Sequence, residues 1–167
     1  LATALAAQIL GAVPVMVHPD QSSEAIVQAS SATGARFAVV EDQEQVDKAL
    51  DARRSGALLA HVFYDNARGL RGYRDAGVAP LEGLLRLATS TTSARSGLVV
   101  EQLALRLPDE EAAVFRSEAA QDGARWVAWT HRMLLDCGQA NARADGLGGD
   151  EQVLSCDALA SVGQFIA

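Results

Sequence analysis

Along the first 64 positions the apolar residues fall into short blocks that alternate between helical and strand periods. Leu5, Ile9 and Leu10, set among alanines, have the spacing of a buried helix face, and Gly11 follows as a residue suited to a left-handed stop. Val13-Pro-Val-Met-Val17 has strand length, and its proline places it at a strand start or edge. Residues 22–33 read as an alanine-rich helix carrying Ile26 and Val27 and ended by Gly34. Phe37-Ala-Val-Val40 reads as a second, buried strand. Asp42 with Gln45 forms a capping-box pattern for a helix carrying Val46, Ala49 and Leu50, and Leu58–Tyr64 is a third strand. This alternation predicts βαβ units: an α/β fold with a mainly parallel sheet flanked by helices on both faces.

Beyond Tyr64 the pattern loosens. Residues 65–79, rich in Gly, Arg, Asp and Asn, read as a surface loop, and Pro80 suits the first position of a helix through Leu87. Residues 88–97, ATSTTSARSG, are a low-complexity polar stretch and the best candidate for a flexible linker. Residues 98–107 have helical character. Ala112–Phe115 and Trp126–Trp129 read as two strands around a polar loop, with a helix from about Thr130 to Ala144. Val153–Cys156 and Leu159–Ile166 read as a last strand and a last helix.

Composition narrows the functional classes. A net charge of −7 argues against non-specific binding to nucleic acid or to an anionic membrane surface, both of which need a basic face. No apolar run approaches the roughly 18 residues of a membrane span. Cys137 and Cys156 are too far apart for a redox or zinc pair and read as buried small apolar residues in a reducing, cytoplasmic setting. Among 14 basic residues, Lys48 is the single lysine, so chemistry that needs a motif lysine has one candidate. The chain opens at Leu1 inside a helical pattern and closes at Ala167 inside an apolar run, so it reads as a fragment of one domain, 1–167, of a longer protein.

Several segments, in order, resemble the AMP-forming acyl-CoA synthetases, most closely the long-chain fatty acid–CoA ligases. Gly11-Ala-Val-Pro-Val15 with His18-Pro-Asp20 is similar to the family's "GAVxVPxxP", and Ser31–Val40 to its "SGARxxxV" strand. Glu41–Gln45 is similar to "EDxEQ", Arg68-Gly-Leu-Arg-Gly-Tyr73 to a loop of the long-chain subgroup, and Gly148–Ser155 to "PGDxVLS". The resemblance spans nearly the whole chain and implies part of the large N-terminal domain of an adenylate-forming enzyme. It further implies ATP, Mg²⁺ and coenzyme A as cofactors and a fatty acid or other carboxylic acid as substrate, joined through an acyl-adenylate. The remaining adenylate-binding elements and the small C-terminal domain of such enzymes have no counterpart in this chain, so the chain alone is expected to be inactive.

In the family the next strand–loop–strand carries a phosphate loop, "TSGTTGxPKG". Glycines let backbone N–H groups approach the phosphates, hydroxyls donate to them and a lysine adds positive charge. Counting back from Thr130-His131 puts residues 117–126, SEAAQDGARW, on those ten positions. Ser117 keeps a hydroxyl and Arg125 a cation, and with Thr130 they are the candidate cofactor-binding residues. The motif's glycines become Ala119, Asp122 and Trp126, and its second hydroxyl becomes Glu118. Each new carboxylate facing a polyanion costs on the order of 1 kcal/mol or more when partly desolvated. Alanine and tryptophan also obstruct conformations that glycine permits. The loop therefore reads as a poor ATP cradle. The "LPLAH" that follows in the family is Asp157-Ala-Leu-Ala-Ser161 here, without its proline and histidine.

Each of these residues also has a plainer reading. Thr130 is a good helix N-cap. Arg125 is an ordinary exposed loop arginine, and His18 and His61 are packed or surface residues. Trp126 and Trp129 are core. Glu118 and Asp122 have no third acidic ligand at useful spacing, so no metal site is expected. Two functions from different classes follow: a long-chain fatty acid–CoA ligase-like protein with an eroded phosphate loop, or a non-catalytic homologue acting as an acyl-chain or protein-binding module.

Overall fold

A computed structural model describes residues 1–92, 97–117 and 125–148. In chain order the elements are α1 (Ala2–Ile9), β1 (Val15–Met16), α2 (Ser23–Thr33), β2 (Phe37–Val40), α3 (Gln43–Arg54) and β3 (His61–Tyr64). A 3₁₀ turn at Leu70–Gly72 leads to β4 (Val78–Pro80), α4 (Leu81–Thr92), α5 (Leu98–Ala104), β5 (Glu111–Ser117), β6 (Arg125–Thr130) and α6 (His131–Ala144). The chain is a mixed α/β protein with parallel sheet segments flanked by helices. It divides into two compact units, Pro19–Leu98 and Leu1–His18 with Val99–Ala167.

The unit Pro19–Leu98 is a parallel three-stranded sheet in the order β2-β3-β4, with Phe37 opposite His61, Val40 opposite Tyr64 and Val62 opposite Val78. Local signals set its helices. Gly34 ends α2 at φ 72°, donating its N–H to the Ser30 carbonyl at 2.8 Å. The Asp42 carboxylate caps α3 by accepting from the Gln45 N–H at 3.2 Å. Glu44 in the first turn and Arg53 and Arg54 in the last complement the helix dipole. Between those ends α3 buries Val46, Ala49 and Ala52 against Ala57, Leu59, Val62 and Leu70. Buried Ser30 ties the unit together: its Oγ donates to the Ala35 carbonyl at 3.0 Å and accepts from the Leu58 N–H at 2.8 Å.

Coverage of the strands differs from the expectation of burial on both faces. Val62 is 0 % exposed, whereas Phe37 is 66 % and Val39 43 % exposed. Residues alternate sides along a strand, and the core formed with α3 takes only the side that carries Ala38, Val40 and Val62. On the other side His61 stacks between Phe37 at 5.6 Å and Phe63 at 6.2 Å. Pro80 closes β4, an edge strand where a missing N–H is tolerated, and the helix begins one residue later at Leu81. Residues 88–92, expected in the linker, form the last turns of α4; residues 93–96 lie outside the described residues.

The other unit holds a sheet in the order β1-β5-β6. β1 runs parallel to β5, with Val15 opposite Val114, but β5 and β6 form an antiparallel hairpin. The mainly parallel expectation therefore holds for the first sheet and not for this pair, because residues 118–124 are too few for the dozen-residue crossover that parallel strands require. Ala112 to Phe115 are buried. The register skips Ala112 between the Glu111–Thr130 and Ala113–Trp129 pairs, a bulge that frees its carbonyl from the ladder. Gln8, the buried residue of α1, donates to that carbonyl through Nε2 at 2.8 Å. α1 is otherwise less buried than its apolar spacing predicts, with Leu5 and Leu10 exposed. Phe115 meets Trp129 edge-on at 6.3 Å across the hairpin diagonal. The expected strand Val153–Cys156 and helix Leu159–Ile166 lie outside the described residues.

Candidate functional site

The two strands expected at 112–115 and 126–129 are present as β5 and β6, and their facing ends define what a ligand would meet among the described residues. Ser117 and Arg125 face each other as the last ladder pair of the hairpin, Ser117 half-buried and Arg125 exposed. The adjoining pair, Arg116 and Trp126, points to the opposite side of the sheet, as strand alternation requires. Residues 118–124, with Glu118, Ala119 and Asp122, lie outside the described residues.

Thr130 does not join Ser117 and Arg125. It pairs with Glu111 at the far end of β6, five residues and roughly 17 Å from Arg125 at strand rise. There it caps α6, accepting from the Met133 N–H at 3.2 Å. The His131 N–H donates to the Glu110 carbonyl at 3.2 Å and the Arg132 N–H to the Pro108 carbonyl at 2.8 Å. The first three N–H groups of α6, the ones a helix can offer a phosphate, are thus already bonded within the protein. The side chain of Arg132 adds a two-pronged contact to Asp109, Nε to Oδ1 at 2.8 Å and Nη2 to Oδ2 at 3.4 Å. Hydrogen bonds from Arg132, reinforced by its charge, hold the Asp109 carboxyl below its ordinary range, and the same contact raises Arg132.

A concavity of about 470 Å³ opens at the start of α3 and is lined by Asp42, Gln43, Glu44, Asp47, Asn66 and Arg68. Its carboxylates are engaged: Asp42 caps α3, Glu44 pairs with Lys48 at 2.8 Å, and Asp47 accepts from the Tyr73 hydroxyl. That last bond raises the Tyr73 phenol above its ordinary value. Lys48, the chain's single lysine, also donates to the Pro19 carbonyl at 2.7 Å, so it is committed to structure within the unit Pro19–Leu98.

Among the described residues no group of three or more His, Cys, Asp and Glu side chains could hold a metal, and no helix is long and apolar enough to cross a membrane. Cys137, expected to be buried, is half-buried on α6, and Cys156 lies outside the described residues. The Tyr73–Asp47 contact and the Gln8 bond to Ala112 were not legible beforehand; the signals in the sequence were a lone apolar pair, Leu70 and Tyr73, in a polar loop and a lone glutamine in an alanine-rich helix.

No model of a known protein family matches this chain, and no curated protein matches it.

The nucleotide implied by the family resemblance can be tested against these groups. The rim of the hairpin offers one hydroxyl, Ser117, and one guanidinium, Arg125. The helix terminus beyond it is already satisfied, and the intervening sequence contributes two carboxylates and a single glycine, Gly123. This donor set, one hydroxyl and one guanidinium beside two carboxylates, does not fit a triphosphate.

Proposed function

We propose that the chain is part of a long-chain fatty acid–CoA ligase-like scaffold whose phosphate loop has lost its hold on ATP. The ordered motif resemblance supports the first half of this reading. The observation that carries the second is the composition of residues 117–126, where Glu118, Ala119 and Asp122 stand at positions that the resemblance gives to a hydroxyl and two glycines. The start of α6 gives no substitute, because it lies at the far end of β6 and its first three N–H groups are bonded to Glu110, Pro108 and Thr130.

The test is pyrophosphate release by the protein containing this chain, supplied with ATP, Mg²⁺, coenzyme A and a long-chain fatty acid. The reading predicts release indistinguishable from the protein-free background, and fatty-acid-dependent release contradicts it.

The second reading, a non-catalytic acyl-chain or protein-binding module, is favoured by the apolar sheet side of Phe37, Val39 and Phe63, of which Phe37 and Val39 are exposed. A chemical-shift change at Phe37 on adding a long-chain fatty acid, without ATP, would support it, and none at saturating fatty acid would contradict it.

A further inference from the structure

Between β3 and β4 the chain returns to begin a parallel neighbour without a crossover helix. It leaves the sheet through the Asp65 N–H on the Val40 carbonyl and the Asn66 N–H on the Glu41 carbonyl, and rejoins it where the Gly77 carbonyl accepts from Val62 at 2.7 Å. In between, the backbone bonds are local: Leu70 to Ala67 at 3.2 Å, and Tyr73 to Leu70 at 3.1 Å. Where the segment runs into β4 the Val78 N–H donates to the Asp75 carbonyl at 3.1 Å; among the described residues no other backbone hydrogen bond joins residues 67–76 to another element.

What holds this segment against α3 is side chains. Leu70 is buried in the cluster with Val46 and Ala49. The Tyr73 hydroxyl donates to Asp47 and accepts from Gln43 Nε2 at 3.3 Å, so it bridges two α3 residues one turn apart. Farther along the helix Arg53 pairs with Asp75. Glycines stand near both ends: Gly69 at φ 84°, a left-handed conformation that other residues resist, and Gly77. A segment fastened by Leu70, the partly buried Tyr73 ring and three polar contacts, with no ladder bonds, has the makings of a separately opening unit.

We propose that residues 67–76 form a latched strap, which lifts from α3 as one piece while the sheet and α3 stay folded. The Tyr73–Asp47 and Arg53–Asp75 contacts are the latches and Leu70 is the plug. Lifting uncovers the seat of Leu70 on Val46 and Ala49, rimmed by Gln43 and Asp47.

Amide hydrogen exchange on the whole chain tests this. The Leu70 and Tyr73 amides, bonded only inside the strap, should exchange faster than those of Ala49 and Ala52 in the middle of α3. Tyr73→Phe, which removes the hydroxyl's bonds to Asp47 and Gln43, and Asp75→Asn, which removes the charge paired with Arg53, should each speed the strap amides roughly 2–10-fold, the range for a side-chain hydrogen bond of ordinary net strength, and leave Ala49 and Ala52 unchanged. Tyr73→Phe keeps the ring, so packing is retained. The proposal is overturned if the strap amides exchange at the α3 rate in the natural chain. It is equally overturned if the two variants leave exchange unchanged, or if they speed strap and helix alike.

Discussion

Replacing Ser30 with alanine removes a single oxygen from a side chain that is 1 % exposed, so the cavity left behind is negligible. That oxygen serves two backbone groups, the Ala35 carbonyl before β2 and the Leu58 N–H before β3. Leaving a buried donor or acceptor without a partner costs about 1–3 kcal/mol. Alanine returns roughly 0.5 kcal/mol through its higher helix propensity at this α2 position. The net expectation is a loss of about 1–2 kcal/mol, which shifts a folding equilibrium about 5–30-fold. Ser31→Ala is the control: it makes the same propensity change one residue on, at an exposed position. Both tryptophans lie on β6 in the other unit, so fluorescence does not follow this change. Exchange of the Ala49 and Ala52 amides in native conditions does. Ser30→Ala should accelerate them by that factor, while Ser31→Ala leaves them unchanged or slightly slowed. Equal behaviour of the two variants would refute the claim that Ser30 joins α2 to both strands.

Three further outcomes are expected. Gln8→Leu strands the Ala112 carbonyl at the β5 bulge and should lower the stability of its unit by about 1–3 kcal/mol, read from tryptophan fluorescence in urea at unchanged slope. The Tyr73 phenol is raised by its bond to Asp47, so the contact's contribution is complete below about pH 10 and fades as pH climbs through the raised folded value. Absorbance titration of Asp47→Asn should show Tyr73 ionising at lower pH than in the natural chain. Asp109 is lowered by Arg132, so its contribution is present above about pH 4 and is lost as pH falls through the lower folded value. Asp109→Asn should flatten the acid limb of a thermal-stability profile without changing its neutral plateau in shape.

What could be read from the residues follows from how local each cause is. Four consecutive apolar residues at Phe37–Val40 are β2 itself, and Asp42 and Gly34 set a helix start and a helix end through bonds within a few residues. Exposure was less legible. An apolar strand predicts that something covers both of its sides, but whether a helix does is decided by topology, and Phe37 and Val39 are exposed. β4 escaped because three residues ending in Pro80 give almost no periodic signal. The strap escaped because its polar composition conceals how Leu70 and Tyr73 anchor it to α3. At the candidate site, Thr130 illustrates both limits. Its capping of α6 was visible from residue type, while its distance from Ser117 and Arg125 depends on the antiparallel register of β5 and β6.

The proposed loss of ATP binding at residues 117–126 is reached directly by calorimetry with ATP and Mg²⁺. The natural protein should be titrated beside a variant carrying Glu118→Ser, Ala119→Gly, Asp122→Gly and Arg125→Lys, with Trp126 kept because it pairs with Arg116 in the ladder. No binding heat from the natural protein, and saturable binding once the loop is restored, is the predicted result. Saturable binding by the natural protein would contradict the claim that the loop has lost ATP, and silence from both would contradict the claim that the scaffold around it is that of a ligase.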